Sequence, residues 1–191
     1  MSEKVFFKTR LYFIGIITIS IWSLLIWNYF HEGVPSHHIL AREDLPEISN
    51  WWGALLIPLL AWFLTYRIQK RINKDPEVSN VPVSVLYGFL SALIFGILLS
   101  LFFTLGDSDI PGYMLQGVFV TALFLPIYRS EYLLGLVIGM TFTFGAVLPT
   151  GIGCILVLIS AVLYLFVRPV IFFVIKRLIN LVSSNTHKQD Q

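Results

Sequence analysis

The sequence predicts an all-α integral membrane protein, a six-helix transmembrane bundle with both termini on the cytoplasmic side. Three observations predict it. The chain is 57% hydrophobic and only 13% charged, whereas a soluble domain carries about a quarter charged residues. Mean hydropathy is +0.80, and apolar runs long enough to cross lipid recur along the whole length. The basic residues fall in alternate gaps between those runs, as cytoplasmic loops require.

The runs are taken in chain order. The first, 11–30, follows the basic head MSEKVFFKTR. It is long for the apolar part of a signal peptide and no small-residue cleavage site follows, so it reads as a retained span. The second, 51–66, is short, but RIQKRI continues its helix into the headgroup region, and Pro58 is expected to kink it. The third is 84–105. The fourth, 113–128, begins after the turn-rich GDSDIPG, and the fifth, 132–148, ends at PTG. The sixth, 152–175, is the longest. Residues 1–191 therefore read as a single transmembrane domain.

Direction follows from charge. With six spans, Lys4, Lys8, Arg10, Arg67, Lys70, Arg71, Lys74, Arg129, Lys176, Arg177 and Lys188 share one side. Only Arg42 lies opposite, and Arg168 sits near the basic end of span six. Lys and Arg mark the cytoplasmic face. Trp22, Trp27 and Tyr29 then fall at the outer end of span one, level with Trp51 and Trp52, where amphipathic rings favour the interface. The short loops and small size suggest a bacterial inner-membrane protein. The expected partner is the lipid bilayer, with a membrane-protein partner or a second copy open. Net charge is +2 without a dense basic stripe, so nucleic acid is not expected. A lone Cys154 excludes an internal disulfide and a CxxC metal site.

Within the spans no Asp, Glu, Lys or His falls at mid-depth. Proton-driven carriers generally rely on such a relay. The polar residues there are mild: Thr18, Ser20, Ser91, Gln116, Thr121, Thr141, Thr143 and Ser160. Back-bonding to their own helix, or hydrogen bonding between helices, explains most of them. Gln116 stands apart, because a primary amide rarely faces lipid. Gly88, Ala92, Gly96 and Ser100 recur every fourth residue, as do Gly135 and Gly139. Such rows let helix backbones approach closely. Gly145, Pro149, Gly151 and Gly153 read as a tight outer connector.

Chemistry concentrates in HEGVPSHHILAREDLPEISNWWG, residues 31–53, on the outer side. With the next outer loop it assembles the candidate binding residues His31, Glu32, His37, His38, Asp44, Glu47, Asp107, Asp109 and Gln116. His31, His37 and His38 are candidate ligands for a divalent metal such as zinc. Their spacing is not that of HExxH, because Gly33 and Pro35 intervene. Acid–base catalysis by a histidine oriented by Asp44 or Glu47 is a second reading. The plainest is a solvated loop with a short interfacial helix from His37 to Leu45, N-capped by Ser36, with Ser49 or Asn50 capping span two. The length of the loop also suits a lid. The leading functional expectation is therefore a protein that binds or passes a small molecule or ion through an outward-facing pocket beneath the 31–53 loop. A metal-dependent membrane enzyme and a structural or assembly partner are the alternatives.

Overall fold

The computed structural model describes residues 3–31, 33, 36–38, 47–74, 81–106 and 109–189, with side chains described within 5–31, 33, 49–73, 83–106 and 109–180. The chain folds as helices α1 (Glu3–His31), α2 (Gly53–Lys74), α3 (Val81–Thr104), α4 (Asp109–Phe124), α5 (Ser130–Phe144), α6 (Val147–Val162) and α7 (Arg168–Gln189). A five-residue π turn, Leu163–Val167, joins α6 to α7 without a break. The described residues also form a two-stranded antiparallel ladder of β1 (Ser36–His38) and β2 (Glu47–Ser49), followed by a 3-10 turn at Asn50–Trp52.

Among the described residues, four helical stretches are long and apolar enough to cross a membrane: Val5–His31, Asn50–Asn73, Val83–Thr104 and Val147–Asn180. The surface agrees. Ile16, Ile19, Ile94, Ile97, Leu158 and Phe166, with many other large apolar side chains, point outward, a distribution that suits lipid rather than water. The interior combines aliphatic side chains such as Ile57, Leu64 and Val137 with small and polar ones, among them Ala61, Ala122, Thr65, Thr141, Ser160 and Glu131.

The fourth and fifth expected spans exist as helices with shifted bounds, α4 as long as expected and α5 shorter. α4 ends at Phe124 because Leu125 precedes Pro126, and a residue before proline resists the helical conformation. At 16 and 15 residues, α4 and α5 are about 24 and 22 Å long. α5 is the central helix, with Leu133, Leu134, Val137 and Met140 buried.

Side-chain contacts set the relative directions. Arg10 reaches Trp62 and Gln69 while Tyr29 meets Trp51, so α1 and α2 are antiparallel. Arg71 meets Glu131 while Gly53 lies against Ala146, so α2 and α5 are antiparallel too. α3 and α5 run parallel, and here the two glycine rows face one another. A Cβ on Gly96 would come 2.8 Å from the Leu136 carbonyl, and one on Gly139 would come 2.5 Å from the Leu93 carbonyl. A methyl on Gly135 would strike the Phe89 carbonyl. Close backbone approach explains the spacing that the sequence displays.

Prolines are accommodated locally. α2 continues through Pro58. Proline has no N–H to offer the carbonyl four residues back, which is that of Ala54. The Trp22 indole N–H donates to that carbonyl instead, at 3.2 Å. Pro169 would likewise collide with the Leu165 carbonyl, and the π turn lies there. Wider π geometry is a known way to relieve such a conflict. Of the residues expected to form the tight outer connector before α6, Gly145 alone lies between the helices. Gly145, at φ +71°, carries the turn with Ala146, while Pro149, Gly151 and Gly153 lie within α6. Gly145 is required twice over, since its missing Cβ leaves room for the Asn50 side chain.

Candidate binding cavity

Where the sequence-predicted residues fall is as follows. His31 ends α1, stacks on Trp27 with ring centroids 3.9 Å apart, and donates from Nδ1 to the Trp27 carbonyl at 3.0 Å. His37 and His38 are extended strand, not the first turn of a helix. Their ladder register sets His37 opposite Ile48 and His38 opposite Glu47. Pairing with β2 supplies the backbone partners that a helix would have provided. Residues 39–46, with Asp44, and likewise Glu32 and Asp107 lie outside the described residues. Asp109 opens α4. Gln116 is exposed on α4 and does not line the cavity described next. Among the described residues no three His, Cys, Asp or Glu side chains converge as a metal site. The expected cap does form: the Ser49 hydroxyl accepts from the Trp51 N–H at 3.3 Å.

A cavity of about 420 Å³ opens between α3, α4, α5 and α6, within the size range of small-molecule sites. Its walls follow from helical spacing. α4 contributes Met114, Gly117, Val118 and Thr121, and α6 contributes Gly153, Leu156, Val157 and Ser160. Both sets are an i, i+3, i+4, i+7 stripe, one face of a helix. α3 adds Ser91, Ala92 and Phe95, and α5 adds Tyr132, Leu133 and Leu136. Leu125 and Ile127 of the α4–α5 connection close one end. Space remains because α4 stands off where α3 and α5 interlock: a Cβ on Gly117 would meet nothing within 4 Å.

The lining is apolar with four hydroxyl-bearing residues: Ser91, Thr121, Tyr132 and Ser160. Ser91 donates to the Gly88 carbonyl at 3.0 Å and Thr121 to that of Gly117 at 2.8 Å. Both oxygens still have lone pairs to offer a ligand. Among the described residues no carboxylate, amine, guanidinium or imidazole lines the space. The polar groups of the lining are thus hydroxyls alone.

The cavity lies in the half of the bundle away from the β1–β2 ladder. Polar contacts that sequence reasoning did not find surround that end. Glu131, at 2% exposure, receives both guanidinium nitrogens of Arg71, at 2.8 and 3.1 Å. This bidentate pair ties α2 to the first turn of α5, next to Tyr132 in the cavity wall. Gly88 makes room for it, since a Cβ there would lie 2.9 Å from the Glu131 side chain. Arg10 is 5% exposed, lies over the Trp62 ring at 4.1 Å, and donates to the Trp62 carbonyl and the Gln69 amide oxygen. The sequence signal for both was an arginine or glutamate at a span boundary, which looks the same as a solvated flank. No family model, curated protein or solved structure matches this chain.

Proposed function

We propose that the chain crosses a bacterial inner membrane six times with both ends cytoplasmic, and that it binds or passes a small apolar molecule through the α3–α6 cavity. The alternating helix directions and the one-sided basic residues support the threading. The observation that carries the function is the cavity itself, with its two helical stripes and the unfilled space at Gly117. In the proposed orientation it lies in the cytoplasmic half, not directly beneath the 31–53 loop.

The test is native mass spectrometry of protein extracted with its own lipids, comparing the parent with Gly117→Phe. The benzyl group enters open space, so the fold should survive while the guest is displaced. A bound small molecule that falls at least about tenfold in occupancy, roughly 1.4 kcal/mol, is expected. Equal occupancy in both proteins would refute the assignment. Threading is tested separately, by His37→Cys labelling in a Cys154→Ala background. Reaction from the non-cytoplasmic side is expected.

A second reading keeps the outer face as a metal-dependent site, because the ladder sets His38 opposite Glu47. Zinc content lost on changing His37 and His38 to alanine would favour it, and unchanged content would end it.

A further inference from the structure

We infer that the guest of the cavity is an anionic amphiphile taken up from the bilayer, its apolar chain in the cavity and its oxyanion head beside Arg168. The inference rests on the cavity reading proposed above and adds the chemical class of the guest. Access carries the first part. On α4 and its last turn, Gly117, Thr121 and Leu125 recur every fourth residue and so lie in one row along the helix. All three line the cavity, and all three are exposed. Ser91 of α3 is likewise both lining and exposed. The space therefore opens sideways along α4, over about 12 Å of helix. Beside that row Val120 and Phe124 point outward, at 59% and 63% exposure. A slot in so apolar a wall takes its guest from lipid rather than from water.

Charge carries the second part. Beyond Ser160, in the same continuous helix, come Tyr164 and Arg168 at successive intervals of four. Tyr164 meets Tyr128 with ring centroids 5.6 Å apart, and Tyr128 follows Ile127 of the cavity wall. The Arg168 guanidinium lies 4.6 Å from the Tyr164 ring centroid and 5.4 Å from that of Phe172. Its Nε is buried without a hydrogen-bond partner, and among the described residues no carboxylate pairs with it. Glu131, the acid near that end of the cavity, is already held by both terminal nitrogens of Arg71. A guanidinium keeps its charge and offers five donors in a planar fork that matches an oxyanion. The two parts agree in direction. Tyrosine and arginine mark an interface, and the cavity runs inward from the level of Tyr164 and Arg168. An amphiphile standing in that leaflet likewise holds its head at the interface and its chain toward the bilayer centre.

The test uses the purified full chain in a neutral maltoside detergent at pH about 8, where a carboxylate is ionised. The probes are radiolabelled dodecanoate and dodecanol, which share a chain and differ in the head. The parent should favour dodecanoate by at least about tenfold, the value of one hydrogen bond to a charged group. Arg168→Gln should lose that preference while binding dodecanol as the parent does, which also shows that it has folded. Arg168→Lys, which keeps the charge, should retain part of the preference. Gly117→Phe should lose both probes. A parent that binds both probes equally, or a full preference in Arg168→Gln, would overturn the head assignment and leave the cavity reading standing. Neither probe binding to the parent, or both binding unchanged to Gly117→Phe, would overturn the cavity reading and this inference with it. Radiolabelled inorganic phosphate separates a free oxyanion from an amphiphile. It should show no binding that depends on Arg168, and phosphate binding abolished by Arg168→Gln would overturn the assignment of a chain-bearing guest.

Discussion

Removing the Arg71 side chain strands a carboxylate. In Arg71→Met, Glu131 keeps its 2% exposure but loses two charge-assisted hydrogen bonds. Breaking a fully buried ion pair from one side costs about 3–5 kcal/mol. Arg71 is itself 30% exposed, and a solvated partner contributes less, so the lower end, about 3 kcal/mol, applies. In a chain of this size each kcal/mol moves the melting midpoint by about 2–4 °C. The single variant should therefore melt about 6–12 °C below the parent, by intrinsic fluorescence in mild detergent. Glu131→Leu alone, leaving Arg71 partly hydrated, should fall less. Arg71→Met combined with Glu131→Leu replaces the pair with apolar groups of similar size and should recover to within about 1 kcal/mol of the parent. The coupling from this double-mutant cycle should exceed about 2 kcal/mol. A single-variant shift under about 2 °C, or a double variant equal to the sum of the singles, would show that the pair does not join α2 to α5 energetically.

Other expectations follow from the same contacts. Gly139→Ala must separate α3 from α5, because its methyl meets the Leu93 carbonyl and the Ile97 N–H rather than a flexible side chain. It should lower the midpoint measurably, whereas Gly15→Ala, with nothing within 4 Å, should raise stability by up to about 1 kcal/mol. Trp22→Phe removes the donor to the Ala54 carbonyl and should cost about 0.5–1.5 kcal/mol. In a Pro58→Ala background the helix supplies its own donor, so most of that penalty should vanish from the melting curves. Arg10→Lys keeps the charge but loses the planar stack on Trp62, and it should melt below the parent despite the conservative substitution.

Much of the helical framework was legible because helical spacing and hydropathy are local properties. The expected back-bonding of mild polar residues is seen at Thr18, Ser20, Ser91, Thr121 and Thr141, each donating to a carbonyl three or four residues earlier. The glycine rows were visible as periodicity, although nothing in either row named the other as its partner. The end of α4 at Phe124 is set by Pro126, whose terminating effect hydropathy does not register. The interfacial helix expected from Ser36 onward gave way to a strand at its first three residues, where long-range pairing with Glu47–Ser49 outweighed the capping signal of one serine.

The candidate site was less legible. Gln116 drew notice for its amide and turned out exposed, while the cavity is lined by residues that look like ordinary packing. Glu131 stands beside Arg129 and Ser130 in the sequence, and nothing local marks it as buried. Its burial depends on Arg71, 60 residues earlier in the chain.

By itself the sequence determined the apolar, helical class and the presence of helices long enough to cross a membrane, since these are sums over residues and need no knowledge of neighbours. Only the tertiary structure decided that the two glycine rows interlock, that Arg71 neutralises Glu131, and that α4 stands away to leave a cavity. Those are relations between distant segments, and a void has no residue of its own to announce it.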